Sequence, residues 1–499
     1  MSQGSSSSSS SDEDDDEEEL DRRRPQPQPL PPPPPPLCAL RAHGGDVQAT
    51  VLSPCGTLLY SGDSEGDLRV WDVDDRRTVS CFKAHPSEGG VLGLYLSFEQ
   101  KELLSQGREG TLKLWMLSES GREVVDGGGG EGGGSPGRCS SIPPPRPLRT
   151  TDTFSKGFCV LSAVESSEGK LLAAVASEDA AGVRVFDARS GELLCELGED
   201  EAAAAAAVGG AKRKKNKKKS SGGGSGAGGT EKEEGEGEEE QPKSRGMAMA
   251  VSLFFFPTRR DSPRFLHALV GYEDGSVVLW RCLGVVGGGG GERSDDGDGD
   301  DGDDVRATAA AAAPPRALSS LRVHFDAVTA LAVGSSCLPL LRFFSGGADS
   351  VLASYFVEEE EGGEEEGEEE TAPPSLSLRS GPAVKLPARG VGALAVFRKE
   401  AAEEETMTLV VVGGWDGAIR LLALRETPRE KEESEEGESG NEEEKNDDDS
   451  FEAAASLEPV GELEHHVAPV ASLAFDASGD LMASGGRDGS VALWGGFGM

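Results

Sequence analysis

Histidine, serine and a carboxylate recur together in this 499-residue chain, and those three side chains can perform nucleophilic catalysis when they hydrogen-bond in series. One set is His466, Ser484 and Asp488, with Trp494 close behind; another is His43, Ser61 and Glu65, with Trp71. A nucleophile needs one oxyanion pocket built around it, so it is expected once. Here the same spacing returns as Ser105 with Glu109 and Ser345 with Asp349, and with Val in place of Ser at Val270 with Asp274 and Val412 with Asp416. Groups repeated at one spacing read as a buried, mutually satisfied network that holds repeated units, and no residue is assigned a catalytic role.

Other chemistry is weakly signalled. The eight cysteines (Cys38, Cys55, Cys81, Cys139, Cys159, Cys195, Cys282 and Cys337) form no CxxC and no Cys/His cluster. That pattern lacks the common zinc spacings and suggests a reducing compartment. Asp296, Asp298 and Asp300 imitate the start of a calcium loop, but its twelfth position, which needs a bidentate Glu, is Ala307. The glycine run 287–291 lacks the Lys-Ser/Thr of a phosphate loop. Neither a metal nor a cofactor is expected. One dense basic block stands out: Lys212, Arg213, Lys214, Lys215, Lys217, Lys218 and Lys219, which reads as a nuclear-import cluster.

The elements that carry the His/Ser/carboxylate sets follow one frame. In six copies a Ser or Val is followed four residues later by Asp or Glu, and six after that by a bulky apolar residue. The copies end at Trp71, Trp115, Trp280, Tyr355, Leu422 and Trp494, and a degenerate seventh ends at Phe186. Each begins with a short apolar strand such as LLYS. A GxxDG-like turn follows, where glycine supplies positive φ and the carboxylate binds local N–H groups. Each ends on an alternating strand such as DLRVW. Strand–turn–strand units repeated in this way predict an all-β, seven-bladed β-propeller.

The frame resembles the WD40 repeat. The resemblance implies a tetrad of loop His, strand Ser, turn carboxylate and strand Trp: His466, Ser484, Asp488 and Trp494 in the last blade, and His43, Ser61, Glu65 and Trp71 in the first. Blades are placed at about 40–73, 82–117, 156–197, 246–282, 322–357, 389–424 and 462–494. Between them lie low-complexity insertions at about 127–148, 198–245, 284–316, 358–374 and 426–456, preceded by an acidic, proline-rich tail over 1–36. Such compositions cannot bury enough apolar surface to offset chain entropy and are expected to be disordered. With five residues after Trp494, the last blade needs an outer strand from elsewhere, and residues 37–41 are expected to supply it and close the ring.

The net charge of −41 comes mainly from the insertions and argues against direct nucleic-acid binding by bulk electrostatics. No hydrophobic run approaches a membrane span, and a soluble chain in nucleus and cytoplasm is expected. Within the WD40 class, LLSQGREGTLKLW (103–115), KGFC (156–159), GYEDGSVVLW (271–280), GGWDGAIRLL (413–422) and SGGRDGSVALW (484–494) are similar to one family. That family is guanine nucleotide-binding protein β-subunit-like protein 1, also called ASTRA-associated protein 1. The resemblance implies a non-enzymatic adaptor, monomeric within a complex. Its implied partners are the TTT co-chaperone complex, phosphatidylinositol-3-kinase-like kinases and ASTRA chromatin-remodelling subunits. A ubiquitin-ligase substrate receptor or a Gβ-like signalling scaffold is the alternative.

Overall fold

The computed structural model describes residues 34–118, 122, 124–125, 146–155, 157–198, 245–256, 264–285, 315–334, 341–360, 375–387, 390–399, 407–426 and 455–497. Residues 1–33 of the expected tail and most of each expected insertion, including the basic block 212–219, lie outside them. Within Pro35–Met499 the chain forms seven antiparallel sheets, which make a seven-bladed β-propeller. Blade 1 is typical: Val47–Leu52 is innermost, then Leu58–Asp63, Asp67–Asp72 and, outermost, Arg77–Lys83. Blade 7 is assembled from both ends of this region. Cys38–Arg41 pairs antiparallel with Ser490–Gly495, matching Cys38 to Leu493 and Arg41 to Ser490.

The core is divided among the joints between blades. Each of the seven apolar clusters combines residues of two neighbouring blades, and together they cover all seven joints. This arrangement explains the frame. Its last residue shares a cluster with the preceding blade: Trp71 with Leu493, Trp115 with Tyr60, Trp280 with Leu172, and Trp494 with Leu409. Phe186 and Leu422 fill the same place, so the position needs bulk rather than an indole.

The glycine after the frame's first residue faces the following blade. A Cβ at Gly62 would overlap Val91, and Gly271 meets Val328, Gly346 meets Val391, Gly413 meets Val470 and Gly485 meets Val47 in the same way. Those valines open the inner strands and are completely buried. Replacing Gly346 by Leu is therefore expected to cost about 3 kcal/mol by forcing blades 5 and 6 apart. A melting temperature within 2 °C of the unmodified chain would contradict this joint.

Blade 2 departs from the rule because Gln106 stands where glycine is expected. Its side chain accepts the Leu161 N–H at 2.7 Å and donates to the Cys159 carbonyl at 3.1 Å. It thereby holds an entry to blade 3 that is not strand until Ser162–Glu165. The SQGR turn and the GFC segment, which stand out together in the sequence, are thus physically coupled.

The structure extends the sheets beyond the expected blade limits. Arg149–Asp152, Arg316–Arg322, Ser375–Lys385 and Ala455–Glu464 are the outer strands of blades 2, 4, 5 and 6. Val351–Glu360 also runs into a stretch read as insertion. Outer strands are paired on one side only and face solvent, so their sequences carry little apolar alternation. Cys81 is disulfide-bonded, whereas Cys38, Cys55, Cys159, Cys195 and Cys282 are free thiols.

Candidate functional site

The loops leading into each blade and the GxxDG turns emerge on one side of the ring, termed the loop face. Backbone bonds tie them together: the Ala84 and His85 N–H groups reach the Gly66 carbonyl, and the His324 N–H reaches that of Gly275. Glycine at the turn is required by φ of +90° at Gly66 and +76° at Gly489; Ser350 takes φ 71° in blade 5.

Beneath this face lie four hydrogen-bonded sets. In blade 7, the Trp494 indole N–H donates to Ser484 Oγ at 2.9 Å, and Ser484 Oγ lies 2.8 Å from His466 Nε2. His466 Nδ1 faces the Asp488 carboxylate at 3.1 Å. Blade 2 builds the same chain from Trp115, Ser105, His85 and Glu109, with 2.5 Å between His85 Nδ1 and Glu109. Blade 5 uses the Tyr355 hydroxyl at 2.8 Å from Ser345 Oγ, followed by His324 and Asp349.

Blade 1 differs from the sequence expectation. His43 Nε2 lies 2.6 Å from Ser61 Oγ and Trp71 donates to the same oxygen, but the carboxylate on His43 Nδ1 is Asp63, at 2.8 Å, not Glu65. Asp63 is fully buried, whereas Glu65 is exposed. The reason is local. Blades 2, 5 and 7 have Gly107, Gly347 and Gly486 two residues before the carboxylate, and a Cβ there would meet both the histidine and the carboxylate. In blade 1 that position is itself an aspartate, so its carboxyl occupies the same space directly and also accepts the Glu65 and Asp67 N–H groups.

Blades 3, 4 and 6 lack the set. In blade 4 Val270 replaces the serine, and the buried Trp280 Nε1 has no hydrogen-bond partner. In blade 6 Val412 and Leu422 make the corresponding positions apolar, and Asp416 pairs with Arg420 instead. The four serines have no exposed surface, so no substrate reaches their hydroxyls. These sets brace the blades.

Burial raises the carboxyl pKa values of Asp63, Glu109, Asp349 and Asp488, but their hydrogen bonds outweigh it and hold them below the usual range. The dominant bonds come from His43 to Asp63, His85 to Glu109, the Phe325 N–H to Asp349 and Ser490 to Asp488. Burial lowers His85 and His466 despite their carboxylate neighbours. All six groups have folded values below their unfolded ones, so each gives stability that is complete at higher pH and is lost on acidification. Stability is expected to decline first as pH falls below about 6.5 through the histidines, and again below about 4 through the carboxylates. Thermal unfolding at pH 8, 7, 5.5 and 4 checks this, and a melting temperature equal at pH 7 and pH 5.5 would contradict the histidine contribution.

The innermost strands of six blades, together with Val160 and Leu161 from the entry to blade 3, line a central cavity of about 230 Å³, with Gln48, Thr50, Gly93, Met249, Thr329 and Ser472 among its walls. Among the described residues no three His, Cys, Asp or Glu side chains gather as a metal site. The surface features of the ring are therefore its two faces. The linker 199–244, which contains the basic block, leaves and rejoins on the loop face between Leu197 and Met247. The acid-rich sequences 286–314, 361–374 and 427–454 fall between third and outer strands, whose flanking ends at Val285 and Arg316, Glu360 and Ser375, and Glu426 and Ala455 lie on the opposite face.

A family model for the "WD domain, G-beta repeat" matches residues 34–72 and 457–495, which cover the three inner strands of blade 1 and all four strands of blade 7. The chain is 36% identical over 69 residues to mouse guanine nucleotide-binding protein subunit beta-like protein 1, matching 14% of this chain and 21% of that protein. It is 36% identical over 81 residues to ASTRA-associated protein 1 of Penicillium rubens, 16% of this chain and 18% of that one. It is 27% identical over 87 residues to a WD repeat-containing protein 91 homolog of Dictyostelium discoideum, 17% of this chain and 11% of that one. The chain thus spans about a fifth or less of the length of these relatives.

Proposed function

We propose that this WD40-repeat propeller is a non-enzymatic adaptor that assists co-chaperone-dependent maturation of phosphatidylinositol-3-kinase-like kinases, acting with the TTT complex, and that it also serves within an ASTRA-type chromatin-remodelling assembly. The observation that carries the adaptor reading is the complete burial of the serine in each of the four Ser–His–carboxylate sets, which leaves two rigid loop-built faces as the accessible features. Similarity to proteins named for association with ASTRA supports the choice of system. Depleting the protein should lower the steady-state amounts of these kinases without lowering their transcripts, and restoring it should recover them. Normal kinase levels after complete loss would remove the co-chaperone role.

The name of the mouse relative favours a second reading, a Gβ-like signalling scaffold. Affinity purification separates the two readings: co-chaperone subunits and giant kinases support the first, and G-protein subunits the second. Cullin adaptors would instead indicate a ubiquitin-ligase receptor. Nuclear import is assigned to the basic block 212–219. Changing its Lys and Arg residues to Gln should leave the protein in the cytoplasm, and an unchanged nuclear signal would assign import to a carried complex.

A further inference from the structure

The loop face carries apolar side chains that the blades do not need for their own packing. Phe158 (58% exposed) and Val160 precede blade 3, Met247 precedes blade 4, and Phe325 (89%) precedes blade 5. Trp415 (44%) sits in the turn of blade 6, over the Gly390 backbone, and Val467 (90%) precedes blade 7. The positions that hold Phe325 and Val467, directly after the loop histidine, are Gly44 in blade 1 and Pro86 in blade 2. Blades 1 and 2 are built on the same hydrogen-bonded set with only glycine and the small proline ring there, so large side chains such as those of Phe325 and Val467 are not required by the loop. They belong to a surface that follows five consecutive blades and leaves two bare.

Charge on this arc is uneven. Next to Met247 and Phe325 stand the exposed carboxylates of Glu273 and Asp326, and neither is ion-paired to another side chain among the described residues. Cations lie toward the ends, with Arg108 5.0 Å over the Phe158 ring and Arg487 on the turn of blade 7, while Arg245, two residues before Met247, is half-buried and donates to Ser276 and Ser320. A line of separated apolar anchors with an acidic middle suits a ligand with the complementary pattern.

We infer that this arc docks an extended protein segment whose apolar or aromatic side chains alternate with lysines and arginines; the inference rests on the adaptor reading above and specifies its contact surface. Phe325 and Trp415 are the anchors, since aromatic groups that become fully desolvated on binding carry most interface energy. Glu273 and Asp326 select the basic residues between them.

The test uses the full-length chain and a displayed library of random twelve-residue peptides as probe, followed by fluorescence anisotropy with synthetic copies of the enriched sequences. Two double variants are compared, Phe325→Ser with Trp415→Ser, and Glu273→Lys with Asp326→Lys, each checked for unchanged melting temperature. Enriched peptides should combine aromatic or aliphatic residues with an excess of Lys and Arg. Affinity should fall about tenfold or more in the first variant. In the second it should fall and lose much of its salt dependence. Enrichment of acidic peptides, no enrichment, or undiminished affinity in the first variant would overturn the inference. So would a dimer-to-monomer shift of the first variant in light scattering, which would make a second copy the occupant. A first variant that keeps every cellular partner would overturn the arc while leaving the adaptor reading intact; an unmodified chain that binds the peptides but recruits no protein in cells would do the reverse.

Discussion

A chain starting at Gly44 is expected to be less stable than one starting at Pro29 by on the order of 5 kcal/mol, or roughly 10–20 °C in melting temperature. Only the shorter chain loses Cys38–Arg41, which forms the outer edge of blade 7. With that strand goes the 2.8 Å bond from the Leu37 N–H to the Leu493 carbonyl. Leu40 also leaves its cluster with Trp71, Leu59, Val491 and Leu493. The same cut removes His43 and strands the fully buried Asp63 without its partner. It further bares Ser490–Gly495, whose apolar SVALW run would become an open edge prone to pairing with other chains. Urea unfolding of both chains, with light scattering for aggregation, measures the difference. Equal stability would show that the ring closes by other means.

The second large effect separates two carboxylates that the frame alone confuses. Asp63→Ala should cost about 3–5 kcal/mol, because it removes the acceptor for the buried His43 Nδ1 and for two turn N–H groups. Glu65→Ala should change stability by about 0.5 kcal/mol or less, since its side chain faces solvent. Equal costs, or the reverse order, would return Glu65 to the position assigned from spacing.

How far the sequence could be read depended on whether each requirement recurs. Every blade must wedge a bulky group against its predecessor, so Trp71, Trp115, Phe186 and Trp494 mark the repeat even where the rest degenerates. Asp63 escaped because two different positions can deliver a carboxyl to the same imidazole, and spacing counts only one of them. Gln106 lies in a segment that carries the family resemblance, but its bridge to Cys159 and Leu161 depends on residues more than fifty positions away. The outer strands Ser375–Lys385 and Ala455–Glu464 were missed because a one-sided, solvated edge demands little of its sequence. Phe325, Trp415 and Val467 lie outside the positions the frame constrains, and only the shared face brings them together.

Pairing Cys38 with Leu493 sets a timetable for synthesis. At about 5–20 residues per second, roughly 25–90 seconds separate the appearance of the first strand from that of its partner. Throughout that interval the nascent chain holds blades whose terminal joints, the Leu40 and Trp71 surfaces among them, have nothing to cover them. Stop codons or ribosome stalls late in the message would therefore release a product with nearly all of its blades and an unsealed ring. Such a product should be recognised by protein quality control as unfinished even when the break falls just before Ser490.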